Sequence, residues 1–197
     1  MSQLLNAQCN ARAHNGVLRR IAITGGIAEG KSTVLGYLRA MGYETASADE
    51  VAKEIFAMSE IQSAIGVILG LEPPVAASTL LAKLSDASVR HAVNAITHPL
   101  ILARLCELSA PFIEVPLLIE TVLEGEFDRT WVVTCGREEQ LNRLAARLGG
   151  ISSAEALVKT QLTSRVKIPF ADCVIRTNRR ESTVKRCVLV AVQRDLR

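Results

Sequence analysis

No stretch of this chain approaches the roughly eighteen uninterrupted apolar residues that a membrane-spanning helix requires, and residues 1–16 hold no apolar run of the kind found in a secretion signal. The expectation is a cytoplasmic protein without a membrane partner. Paired cysteines are missing too. Cys9, Cys106, Cys135, Cys173 and Cys187 are scattered with no CxxC pair and no metal-ligand spacing, which speaks against redox or zinc chemistry and predicts reduced thiols. Charge of one sign is scarcely in excess. The surplus of 23 basic over 20 acidic residues is too slight for a nucleic-acid-binding surface, although local arginine clusters can still hold anionic metabolites. Internal repeats and low-complexity segments are lacking. What remains is a chain whose 49% apolar residues suffice for a buried core, as one domain or a core with an inserted lobe.

Short β-type runs at residues 20–24, 44–48, 112–115, 130–134 and 173–175 alternate with helical patterns. That alternation predicts an α/β fold with a mostly parallel sheet and ligands at the carboxyl ends of its strands. Pro73 and Pro74 mark a loop within the helical stretch 51–108. Residues 1–18 precede the first strand and read as a flexible extension.

The most informative segment is residues 25–32, GGIAEGKS, set between the apolar run Ile21, Ala22, Ile23 and a helix-forming stretch that opens at Thr33. It matches GxxxxGK[ST], a phosphate loop that works as a strand-to-helix turn. Glycines let backbone N–H groups curl around phosphates, and the following helix N-terminus adds its positive end. Gly25, Gly26, Ile27, Ala28, Glu29, Gly30, Lys31, Ser32 and Thr33 are therefore the candidate nucleoside-triphosphate site.

A Mg²⁺-nucleotide site also needs hard oxygen ligands and a base near the acceptor hydroxyl. Asp49, just past the run 44–48, suits the base, or else caps the helix that follows. Glu114 sits in the run before Pro116 and lies near the nucleotide if its side chain turns to the loop; otherwise it is a surface acid. In the helical pattern 138–148, Leu141, Leu144, Ala145 and Leu148 share one side, leaving Gln140, Arg143 and Arg147 near one another. Two guanidiniums a turn apart can clamp β- and γ-phosphates, or simply face solvent. Ser152, Ser153, Ala154 and Glu155 read as a capping box that opens a second helix and completes a helical hairpin suited to a lid. His98 and Pro99 read as the end of one helix, 86–96, with Pro99 opening the next.

Together these segments resemble the dephospho-coenzyme A kinase family over about residues 20–178. The resemblance rests on TGGIAEGKST at 24–33, SADEVAKEI at 47–55, NAITHPLI at 94–101 and EVPLLIE at 114–120, supported by Gln161, Lys167, Ala171 and Asp172 in family order. It implies a three-layer P-loop sandwich like the nucleoside-monophosphate kinases, with a helical lid (about 138–168) and a helical substrate lobe (about 52–108). The implied reaction transfers the ATP γ-phosphate to the ribose 3′-hydroxyl of dephospho-coenzyme A, the last step of coenzyme A synthesis, with Mg²⁺. By the same resemblance Asp49 activates the acceptor hydroxyl, Lys31 and the loop amides hold phosphates, and Ser32 and Glu114 hold Mg²⁺. Arg143 and Arg147 act from the lid, while Asp49, His98, Pro116 and Leu117 meet the acceptor. The chain departs from the family pattern at Ser47, Glu29 and Glu114, and Thr177 stands where an asparagine is usual. At the loop tip the charge of Glu29 is expected to be unfavourable unless it points to solvent. A gluconate- or shikimate-type kinase would share the loop but not the HP and VPLL motifs, and a catalytically lapsed nucleotide-binding protein is the alternative outside enzymes.

Overall fold

The computed structural model describes residues 19–196, so the expected N-terminal extension and Cys9 lie outside it. Five strands form one sheet: β1 (Ile21–Thr24), β2 (Thr45–Ser47), β3 (Phe112–Glu114), β4 (Arg129–Thr134) and β5 (Cys173–Arg176). Their spatial order is β2-β3-β1-β4-β5 and every pairing is parallel. All four residues of β1 are buried, as befits a central parallel strand with layers on both faces. The register sets Glu114 beside Ile23 and Ser47, so the strands' carboxyl ends align at one edge.

The described residues divide into two compact units, residues 48–108 and residues 19–47 with 109–196. In the sheet unit, α1 (Lys31–Ala40) and the C-terminal helix α9 (Glu181–Asp195) bury Val34, Leu35, Leu38, Val184, Val188 and Val192 against Ile21, Ile23, Phe112 and Trp131. Phe112 is bracketed by Tyr43 and Trp131, with ring centroids 5.4 and 5.3 Å away. The Trp131 indole N–H donates to Asp195 at 2.7 Å, satisfying a buried polar tip and fastening the end of α9 to β4. Three further helices follow the fourth strand: α6 (Arg137–Leu148), α7 (Ile151–Val158) and the single turn α8 (Ser164–Lys167).

The other unit is helical: α2 (Ala48–Ala57), α3 (Ser59–Leu69), α4 (Ala77–Lys83) and α5 (Ala87–Glu107). Its buried side chains include Val51, Ile55, Ile61, Ile65, Val93 and Leu105. Asp86 caps α5 by accepting the Ser88 and Val89 N–H groups, and the Ser88 hydroxyl, then these amides, hold its carboxyl below the usual range.

Four local expectations are corrected. Pro99 does not open a helix but lies inside the 21-residue α5; the buried Val93, Thr97 and Leu105 on one helix outweigh the hydrogen bond that proline removes. Asp49 is not a cap, because α2 begins directly after β2 at Ala48. The Ser152 capping box does not form: left-handed Gly149 and extended Gly150 end α6 and start α7 at Ile151 with no side-chain cap. Leu148, expected on the apolar side of α6, is 45% exposed, because the packed cluster stops at Leu144, Ala145 and Leu141. The thiol expectation holds for Cys135, Cys173 and Cys187.

Candidate active site

The phosphate loop joins β1 to α1. A Cβ on Gly25 would lie 2.3 Å from the Val133 carbonyl oxygen, and Gly30, which caps α1, has φ of 96°. Both positions therefore require glycine. The Lys31 ammonium donates to the Gly25 and Gly26 carbonyls at 3.0 Å each, and its Nζ lies 4.0 Å from Glu114 Oε1. The Glu114 side chain thus turns to the loop, where the end of β3 places it. Ser32 and Thr33 open α1 with exposed side chains.

Glu29 departs from expectation. It is only 2% exposed and points inward. Its carboxylate accepts the Gly26 N–H, the Thr134 hydroxyl at 3.0 Å and the Ser164 hydroxyl. The solvent-pointing rotamer anticipated from charge alone is not adopted because three donors, from the loop, β4 and α8, converge on the buried position. Gln140 is likewise buried rather than grouped with the arginines on a polar face, and donates to the Ile27 carbonyl at 2.9 Å, while Gln161 accepts the Ile27 N–H at 3.1 Å. Ile27 and Ala28 pack against Leu144, Ala154 and Val158 of the α6–α7 hairpin.

From the loop a cavity of about 690 Å³ runs along α1 to the start of α9, lined by Gly30, Ser32, Thr33, Tyr37, Arg143, Arg147, Arg179 and Glu181 among others. Three guanidiniums against one carboxylate suit a polyanion. The two lid arginines differ. Arg143 is held by Glu139 at 2.7 Å and reaches the Thr177 hydroxyl and carbonyl at 3.2 and 3.0 Å, whereas Arg147 is exposed. Sequence reasoning does not single out Arg179, Tyr37 or Glu181; the Arg179-Arg180 pair just past β5 was the available signal for the first. Burial and the nearby Glu181 carboxylate push the Tyr37 phenol above its usual pKa. Burial likewise raises the Cys135 thiol to about 11, leaving it protonated at neutral pH.

Pro116 and Leu117 follow β3 in the sheet unit. The Pro116 carbonyl accepts from the Thr24 hydroxyl at 3.2 Å and from Lys167 at 3.0 Å, and Leu117 is 41% exposed. Asp49 and His98 belong to the helical unit. Asp49 is exposed in the first turn of α2, two residues past the end of β2. His98 is half-buried midway along α5, and burial lowers its pKa.

The family model described as dephospho-CoA kinase matches residues 19–183. Curated relatives bearing that name include one from Dehalococcoides mccartyi, 31% identical over 90% of this chain and 98% of its own, and one from Moorella thermoacetica, 35% identical over 80% and 82%. Among solved structures, TT1252 from Thermus thermophilus superposes with a TM-score of 0.77 at 29% identity, covering 92% of this chain and 99% of that one. A dephospho-CoA kinase from Campylobacter jejuni, at 20% identity and a TM-score of 0.66, covers 90% of this chain and 96% of its own and shares the fold.

Proposed function

The chain belongs to the dephospho-CoA kinase family, and on that premise we propose that it transfers the γ-phosphoryl group of ATP to the ribose 3′-hydroxyl of dephospho-coenzyme A, yielding coenzyme A and ADP in the cytoplasm. The observation that carries the nucleotide half of the reading is the arginine-lined cavity opening directly from the phosphate loop.

Little covalent work falls to the protein in such a transfer, so positioning and charge neutralisation supply the catalysis. Lys31 leaves its loop carbonyls to meet the β- and γ-phosphates, and the exposed start of α1 presents its amides. Arg147 approaches the triphosphate from α6, while Arg143, preset by Glu139 and Thr177, needs only a side-chain swing. Asp49 accepts the proton of the attacking hydroxyl; its place just beyond the carboxyl end of β2 suits that task, because ligands of open parallel sheets gather there. His98, Pro116 and Leu117 contact the acceptor.

Among the described residues no group of three or more His, Cys, Asp or Glu side chains could hold a metal ion. That fits Mg²⁺, which takes one or two protein oxygens and leaves its other positions to phosphates and water. The Ser32 hydroxyl and Glu114 carboxylate are hard donors that would hold it, and the ion would neutralise charge on the transferring phosphate.

A coupled ADP-release assay with Mg-ATP tests the reading against dephospho-coenzyme A, gluconate, shikimate and nucleoside monophosphates. Turnover with dephospho-coenzyme A and not with the others is expected. Preferential turnover of another acceptor, or none with any, overturns it.

A further inference from the structure

Beyond α7, residues 161–167 make hydrogen bonds in two directions. Towards the phosphate loop, Gln161 accepts the Ile27 N–H at 3.1 Å and the Ser164 hydroxyl donates to Glu29. Towards the turn after β3, the Leu162 N–H donates to Glu120 Oε1 at 3.0 Å, and the Lys167 ammonium meets that same oxygen at 2.9 Å and the Pro116 carbonyl at 3.0 Å.

Lys167 is wholly buried. Lysine is rarely so, and a buried ion pair is weak grounds for stability, since desolvation cancels much of its attraction and apolar residues of similar size do as well. Geometry accounts for the pair better. A carbonyl oxygen has two lone pairs, and those of Pro116 receive Thr24 from β1 and Lys167 from α8. The peptide leading into Leu117 is therefore pinned from both sides, while Glu120, four residues after Pro116, is pinned by the same ammonium. On the opposite side, Ser164 braces Glu29, which in turn holds the Gly26 amide.

We propose that residues 161–167 form a strut that positions two loops separately: Lys167 is a positioning residue for the acceptor-side turn 116–120, and Ser164 for the phosphate loop. The inference rests on the reading of Pro116 and Leu117 as acceptor contacts. The strut touches no reacting atom, so it sets how well each substrate is received rather than the chemical step.

Steady-state kinetics and thermal melts on purified full-length variants test it. Lys167→Met should raise the KM for dephospho-coenzyme A about tenfold while the ATP KM stays within about twofold, and Ser164→Ala should do the reverse with a smaller rise of about threefold. Because Lys167→Met alone strands a partly buried carboxylate, the double variant Lys167→Met/Glu120→Met, which leaves no unpaired charge, is measured beside it and should show the same split. Equal shifts of both KM values in each variant, or a lower Tm with both KM values unchanged, overturn the strut. Leu117→Ala separates the two layers of inference. If it leaves the dephospho-coenzyme A KM unaltered, the reading of Leu117 as a contact fails, whereas the strut stands or falls on the Lys167 and Ser164 split alone.

Discussion

Replacing Glu29 discriminates between two opposite signs. Were its charge merely a burden on the phosphate loop, Glu29→Ala would stabilise the free protein. The geometry requires the reverse. Truncation leaves the Gly26 N–H, the Thr134 hydroxyl and the Ser164 hydroxyl without their shared acceptor. The amide cannot turn away, and an unsatisfied buried donor costs about 1–3 kcal/mol. Hydroxyls rotate, and Thr134 already accepts the Gly136 N–H at 3.2 Å, so each lost hydroxyl bond counts for about 0.5–1.5 kcal/mol. Against this stands the relief of no longer burying a carboxylate, a cost that the three hydrogen bonds to its charged oxygens already offset in large part. The lost hydrogen bonds span about 2–6 kcal/mol, and the relief holds the net near the lower end, about 2–3 kcal/mol, which for a chain of this size lowers Tm by roughly 4–12 °C. Glu29→Gln keeps one carbonyl oxygen as acceptor and should lose about a third as much. Thermal melts followed by circular dichroism without nucleotide read both variants. A Glu29→Ala protein melting at or above the wild-type temperature would refute the reasoning.

Lys31→Ala should lower kcat at least about a hundredfold, by analogy with removing one donor to developing charge; near-normal turnover of the folded variant dismisses this loop as the phosphate site. Asp49→Asn should cut kcat by about 10²–10⁴ with little change in acceptor binding or Tm, and a kcat within about threefold of wild type removes Asp49 from the mechanism. Both Arg143→Lys and Arg147→Lys should weaken catalysis because a point charge cannot make a bidentate phosphate contact, but only Arg143→Lys should also lower Tm, since Arg143 alone braces Glu139 and Thr177; wild-type kinetics in both would mean a merely solvated face. Burial lowers the His98 pKa, so its contribution to stability is intact above the unfolded value near 6.5 and lost as pH falls below it. His98→Gln should accordingly flatten the decline of Tm between about pH 7 and 5, and an unchanged slope would show that His98 does not drive it.

The phosphate loop and the strands were legible because their causes are local. Gly25 and Gly30 are demanded by the positive φ at those very residues, and each apolar run became a strand within a residue or so of its expected ends. The ordered motifs that resemble one kinase family were equally visible, and residues 19–183 match that family's model. Where a helix starts or stops was less so. Pro99 and Ser152 carry ordinary local signals for helix boundaries, yet packing along α5 and a glycine pair before α7 overrode them.

Sequence alone determined the alternation of strand and helix, the triphosphate loop and the identity of Lys31, Glu114, Arg143 and Arg147 as candidates, since periodicity and motif spacing are properties of neighbouring residues. Tertiary structure decided what depends on distant ones: the order β2-β3-β1-β4-β5, the approach of Glu114 to Lys31, the entry of Arg179 into the cavity and the inward turn of Glu29. A carboxylate's environment is set by the donors that surround it. For Glu29 two of the three donors come from Thr134 and Ser164, more than a hundred residues along the chain, and only folding brings them within hydrogen-bonding distance.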